Sequence, residues 1–144
     1  MSHHLVDLER RAFDARNAGN IEEAAELFSA LVKVQPDWEH GTGFYNLAGC
    51  YEDLGRLNLA EECYNAALRY QPANRDFLGG LASFLYLYGE PERAFDAYLT
   101  ALEVDRIGND FEGVASATTA LHALGKKLGF SEAEVTERIG RAAR

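Results

Sequence analysis

The sequence predicts an all-α protein, an α-solenoid of antiparallel helix pairs with about eight helices in all. Three observations carry this expectation. Gly19, Gly55, Gly89 and Gly125 recur at spacings of 36, 34 and 36 residues. Gln35-Pro36 and Gln71-Pro72 also lie 36 residues apart. Between these marks, apolar residues return at three- and four-residue steps, which puts them on one face of a helix. Self-similarity at a fixed period of this size is the signature of a repeat architecture.

Local rules then account for each helix pair in order. After each of the first three glycines an alanine follows at Ala24, Ala60 and Ala94, an aromatic at Phe28, Tyr64 and Tyr98, and an apolar pair at Leu31-Val32, Ala67-Leu68 and Ala101-Leu102. Before the glycines, the second pair reads Phe44-x-x-Leu47-Ala48-x-x-Tyr51 and the third Leu78-x-x-Leu81-Ala82-x-x-Leu85. The first is looser, Leu8-x-x-Arg11-Ala12-x-x-Ala15. Glycine at each turn can take the left-handed conformation that ends a helix. Proline after a second helix removes a donor and blocks continuation. Ala48 and Ala82 are expected to face Ala60 and Ala94, so the helices can approach at about the close end of the 8–10 Å range. The aromatics fill the space between neighbouring pairs, and one pair cannot bury both its faces, so pairs stack.

The fourth unit changes character. Asn109–Leu124 reads as a first helix with Val114, Ala117, Leu121 and Leu124 on one face, and Gly125 and Gly129 then bracket Lys126-Lys127-Leu128. Ser131-x-x-Glu134 is a capping box that starts a terminal helix, with Val135 and Ile139 turned inward. Residues 126–144 carry five basic and three acidic side chains, a net +2, so residues 1–125 carry −11. A polar terminal helix lets a stacked array end in water. A separate basic partner site is the competing reading of this segment. The expected organisation is one domain over 1–144, with helix pairs at about 5–38, 41–74 and 75–108 and a degenerate fourth unit with its capping helix over 109–144.

The pattern resembles the tetratricopeptide repeat (TPR), whose signature of about 34 residues sets an aromatic, Leu, Gly/Ala, Tyr, Ala, Phe and Pro at fixed offsets. The second unit, Phe44-Leu47-Ala48-Tyr51-Gly55-Ala60-Tyr64-Ala67-Pro72, fills nearly every slot. The resemblance covers residues 5–106 well and 107–144 poorly. Departures are Arg11, where Leu is usual, and Arg106, where Pro is usual; two-residue insertions, one in the Asp37–Thr42 loop, account for the longer spacings. The resemblance implies a right-handed superhelix whose first helices line a concave wall, and a protein-interaction module as the function.

The remaining composition narrows the function classes. The chain has 144 residues, 47% of them hydrophobic and 26% charged, the balance of a folded domain. Fourteen Lys and Arg against 23 Asp and Glu give a net charge of −9, which argues against nucleic acid as a partner. No stretch approaches the ~18 apolar residues of a membrane span, and the amino-terminal segment, His3-His4 included, has no signal-peptide core. No membrane partner is expected. Cys50 and Cys63 form no Cys-x-x-Cys and read as two buried thiols in a reducing cytoplasm rather than a disulfide.

Reactive chemistry has no foothold. There is no His-Glu-x-x-His, Gly-x-Ser-x-Gly, phosphate loop or dinucleotide fingerprint. Gly41-Thr42-Gly43 has no strand leading into it and reads as a loop. The four histidines are scattered at 3, 4, 40 and 122. Acidic pairs such as Glu22-Glu23, Glu52-Asp53 and Glu61-Glu62 point in different directions on helices and read as solvated faces. No enzyme, metal or cofactor is expected.

Carrying the family's inner slots over residue by residue implies a wall of Glu9, Phe13, Arg16 and Asn17; Tyr45, Asn46, Gly49, Glu52 and Asp53; Asp76, Gly79, Gly80, Ser83, Tyr86 and Leu87; then Thr119 and His122. Of these, Phe13, Arg16, Tyr45, Asn46, Gly49, Glu52, Gly79, Ser83 and Tyr86 are the candidate peptide-binding residues. Gly49, Gly79 and Gly80 each cost about 1 kcal/mol in a helix interior relative to Ala. A gap in the wall for a ligand and close packing against a neighbouring helix both explain them. Phe13, Tyr45 and Tyr86 read as peptide anchors, or as residues covered by a cap helix or a dimer partner. Some family members grip a C-terminal carboxylate with a five-residue clamp. Here its slots hold Glu9, Phe13, Asn46, Asp76 and Gly80, so only Asn46 survives and that recognition is expected to fail. The expected partner is a protein or peptide segment with apolar side chains. The alternatives are a self-associating scaffold, a homodimer through Leu5, Leu8 and Ala12 of the opening helix Leu5–Ala18, and a small acidic secretion-type chaperone.

Overall fold

The computed structural model of the protein describes residues 2–142. It divides into two compact units, Met1–Pro72 and Ala73–Arg144. Unit 1 holds α1 (Ser2–Asn17), α2 (Ile21–Val34), α3 (Thr42–Asp53) and α4 (Leu57–Tyr70). Unit 2 holds α5 (Arg75–Tyr88), α6 (Pro91–Ile107), α7 (Phe111–Lys127) and α8 (Glu132–Ala142). Among the described residues there are eight α-helices and no strand.

Unit 1 repeats its geometry closely. Gly19 and Gly55 take φ of +85° and +74°, and the next amide at each turn reaches back five residues, Asn20 N to Ala15 O and Arg56 N to Tyr51 O, both at 2.8 Å. This is the glycine-ended helix stop that the spacing predicts. Ala12 and Ala24 in the first pair, and Ala48 and Ala60 in the second, are wholly buried where the helices approach. Phe28, Leu31, Tyr64 and Ala67 complete the core. The second helices stop alike, Gln35 and Gln71 sharing φ of −138° ahead of their prolines. Leu5, Leu8 and Ala12 are buried in this core, so they present no dimer surface; α2 covers them. Cys50 and Cys63 are free and buried, and burial pushes both thiols up, Cys63 to about 12, which leaves them unreactive.

The loop between α2 and α3 is a short 3-10 turn, Trp38–Gly41. Glu39, His40 and Gly41 all take positive φ, of 47°, 54° and 101°. Anchors hold this left-handed run in place. Trp38 is buried and its Nε1 donates to Glu9 Oε2 at 2.8 Å. Thr42 Oγ1 donates to the Glu39 carbonyl at 2.9 Å, and Gln71 Nε2 to the His40 carbonyl at 2.8 Å. Thr42 and Gly43 already belong to α3, where a Cβ on Gly43 would stand 2.9 Å from Val32.

Unit 2 departs from the expected marks at three places, each with a physical reason. Gly89 is extended, φ −99° and ψ −171°, because Pro91 opens α6 and holds the chain before it extended. With Arg106 in place of a proline, α6 runs 17 residues against 14 for α2 and α4. It ends instead at Asn109, φ +57°, with Asp110 N bonded to Asp105 O at 2.8 Å. Asp110 then caps α7, its side chain accepting from Gly113 N at 3.0 Å. Finally, α7 continues through Gly125, and Gly129, φ +80°, makes the turn. Gly125 is a packing glycine: a Cβ there would overlap Val135 of α8.

The capping box forms as expected. Glu134 N donates to Ser131 Oγ at 3.1 Å and Ser131 N to Glu134 Oε1 at 3.3 Å. Val135 and Ile139 are buried. Arg106 Nη1 donates to the Ile139 carbonyl at 3.1 Å, so the residue that departs from the repeat pattern ties down the last helix. Ala143 and Arg144 lie outside the described residues.

Candidate functional site

In unit 1 the faces of α1 and α3 carry six of the candidate residues. Phe13 is exposed and stands edge-on to the buried Phe28, ring centroids 5.3 Å apart. Tyr45 stands in the same way against Tyr64 at 6.0 Å. Tyr64 OH donates to Glu52 Oε1 at 2.7 Å. Burial first, and that bond second, push the Tyr64 phenol up, so it stays a donor. Asn46 is buried, and its Nδ2 makes no hydrogen bond. Arg16 lies across Gly49: a Cβ there would stand 2.8 Å from Arg16 Nη2. The same guanidinium is 3.6 Å from Asp53 Oδ2. The space above Gly49 is therefore filled by the protein's own arginine. A wide cleft of about 540 Å³ at the α1–α2 turn is lined by Glu22, Glu23 and Glu26 and has no aromatic side chain.

In unit 2 two clefts adjoin. One, of about 340 Å³, is lined by Tyr86, Tyr98, Ser116, Thr119, Ala120 and Ala123. Tyr86 is edge-on to Tyr98 at 6.2 Å, and Lys127 Nζ sits 5.4 Å from the Tyr86 ring centroid. The other, of about 190 Å³, shares Tyr98 and Ser116 and adds Arg75, Gly79, Ser83, Asp105, Asp110 and Gly113. Ser83 is exposed, and a Cβ on Gly79 would meet nothing within 4 Å. Thr119 joins this surface, whereas His122, one turn on, lines a different cleft with Phe130, Glu132 and Val135. Arg138 lies 4.2 Å over the Phe130 ring there.

A family model described as tetratricopeptide repeat matches residues 42–74, which span α3 and α4. Human tetratricopeptide repeat protein 7A is 30% identical over 104 residues, 72% of this chain and 12% of that protein. The first TPR domain of Spaghetti (RPAP3), solved bound to an Hsp90 peptide, superimposes with a TM-score of 0.74 at 20% identity, over 90% of this chain and 96% of that one. The chain belongs to the tetratricopeptide-repeat family. Another solved structure, the Yersinia enterocolitica type III secretion chaperone SycD in complex with a peptide of the translocator YopD, shares the TPR fold with a TM-score of 0.78 at 23% identity, over 88% of this chain and 96% of that one. The fold class is thus the TPR α-solenoid of antiparallel helix pairs. This TPR chain spans about one-eighth of the length of the human relatives it matches, 12% in each case.

The TPR signature explains which site residues were legible. Phe13, Tyr45, Ser83 and Tyr86 occupy first-helix slots that the repeat turns away from the pair's core. Glu9, another such slot, is bonded to Trp38, a residue of the inserted loop that the signature does not include. Sequence reasoning missed Tyr98, Asp105, Gly113 and Ser116. The repeat pattern assigns Tyr98 to packing and does not single out Asp105. Their convergence depends on how α6 and α7 cross, and no local pattern encodes that. Among the described residues no helix is long and apolar enough to cross a membrane.

Proposed function

We propose that the chain is a non-enzymatic protein-interaction module that binds an extended or helical segment of a partner protein against the first-helix faces of its repeats. The observation that carries this reading is the pair of adjoining clefts in unit 2. Tyr86 and Tyr98 present amphipathic rings beside a helix surface kept bare by Gly79. Aromatic anchors next to an open backbone suit a peptide's side chain and main chain together. Phe13 and Tyr45 in unit 1 offer a second aromatic surface, bordered by Arg16, Asn46, Gly49 and Glu52. Solved proteins that share the fold were captured with peptides, in line with this use of it. Carboxylate-clamp recognition is not part of the reading, since Glu9 and Asp76 bring negative charge to slots that need cations. The two buried, free thiols suit a reducing compartment such as the cytoplasm.

The test is selection of a 12-residue phage-displayed peptide library on the wild-type chain, followed by fluorescence anisotropy with the selected peptides. Tyr86→Ala is expected to weaken binding at least about tenfold, as loss of an aromatic anchor does, with helicity by circular dichroism unchanged. Tyr45→Ala tests the unit 1 face in the same way. Unchanged affinity in both variants refutes the assignment of these faces.

A further inference from the structure

Three residues meet in the smaller cleft of unit 2. Asp105 stands where the first two pairs have Gln35 and Gln71. Its side chain is only 8% exposed, and its Oδ1 has no hydrogen-bond partner. The nearest cation, Arg75 Nε, is 3.7 Å away, beyond hydrogen-bond reach. The Arg75 guanidinium is engaged elsewhere, with Nη1 2.7 Å from Asp110 Oδ2. Asp110 Oδ1 in turn accepts from Gly113 N. Gly113 is the second: a Cβ there would collide with the Asp105 carboxylate, so glycine is what admits the acid. Gly79 is the third, opening the α5 side of the same cleft.

Two carboxylates and one guanidinium leave this cleft with one net negative charge and a buried acceptor that lacks a donor. Such an acceptor is costly to leave unpaired. Burial first, and the Asp110 charge second, push the Asp105 carboxyl up from its ordinary value, and Arg75 only partly opposes them. Asp110 has both oxygens occupied, so the cleft is poorly made for a metal ion, which needs several free oxygens. A single cationic donor group fits better. Arg75, half exposed at 53%, can swing aside to admit it.

We propose that Asp105 is the recognition residue of a basic subsite, which takes a lysine or arginine side chain of a bound segment while a neighbouring aliphatic side chain of that segment lies in the cleft that Tyr86 and Tyr98 line. The two clefts share Tyr98 and Ser116, so adjacent side chains of one segment reach both. The subsite rests on the peptide-binding reading above and adds its chemistry: partners carry a basic residue beside an aliphatic one, and the Asp105 charge selects it.

The experiment repeats the library selection on the wild type and on Asp105→Asn, with circular dichroism and thermal melting to confirm that the variant folds. Wild-type selections are expected to enrich Lys or Arg beside Leu, Ile, Val or Met, and Asp105→Asn selections to lose the basic enrichment while keeping the aliphatic one. In a selected peptide, Lys→norleucine is expected to weaken binding to the wild type at least about tenfold and to leave binding to Asp105→Asn unchanged, the coupling a direct contact requires. Basic enrichment that survives Asp105→Asn, or wild-type peptides without a basic residue, overturns the subsite. It leaves the peptide-binding reading standing as long as Tyr86→Ala still weakens those peptides. Selections that yield nothing sensitive to Tyr86→Ala overturn both.

Discussion

Gly49 in unit 1 and Gly79 in unit 2 both lie inside a first helix, and they are glycine for different reasons. Arg16 of α1 lies across Gly49, so the missing Cβ is replaced by the protein's own guanidinium. Nothing occupies the space above Gly79, which borders a cleft with Tyr98, Asp105 and Ser83. The same cost in helix propensity therefore supports internal packing in one unit and leaves an accessible surface in the other. A glycine on an exposed helix face marks a site only when no neighbouring side chain has filled the space it leaves.

Four substitutions break or sharpen that contrast. Gly113→Ala has the largest expected effect, a loss of about 1–3 kcal/mol by overpacking, because its Cβ meets a carboxylate that is itself buried. Urea denaturation reads the loss directly, and combining the change with Asp105→Ala should recover most of it. Gly79→Ala should do the opposite, stabilising by about 1 kcal/mol through helix propensity alone, or about 3 °C in a thermal melt.

Asp105→Asn should also raise stability at pH 7. The Asp105 carboxyl is lifted by burial, so its ionisation disfavours the folded state. That penalty is absent below the ordinary carboxylate range and grows as pH rises through it toward the lifted value. The gain from Asp105→Asn should close as pH is lowered through that range. Melts of both proteins from pH 3 to 7 check the sign, and a gap that widened on acidification would contradict it. Gly49→Ala has the smallest expected effect, within about 0.5 kcal/mol, since the helix gain is offset by moving the flexible end of Arg16. A crystal structure of that variant should show Arg16 displaced.

How much of this was legible from the sequence follows from the range of each interaction. Helix pairs are set by short-range rules, so the Gly19 and Gly55 turns, the stops before Pro36 and Pro72 and the Ser131–Glu134 box were readable. Gly89 and Gly125 misled because neither turn depends on a left-handed glycine at that position. Pro91 made the first unnecessary, and Asn109 and Gly129 served around α7. Phe13, Tyr45 and Tyr86 stand out in the sequence because they lie off the core stripe of their helices. The filling of Gly49 does not, since a long arginine on a different helix reaches it. Asp105 was hidden for the same reason: its burial depends on the missing Cβ of Gly113 on the next helix.

The most direct test is the affinity of a library-selected peptide for Gly79→Leu. A Cβ meets nothing within 4 Å there and leucine favours the helix, so stability should match or exceed the wild type. Binding should fall at least about tenfold as the cleft closes. A variant that is equally stable and binds the peptide as tightly as the wild type would show that the bare surface beside Tyr86 and Tyr98 is not where partners dock.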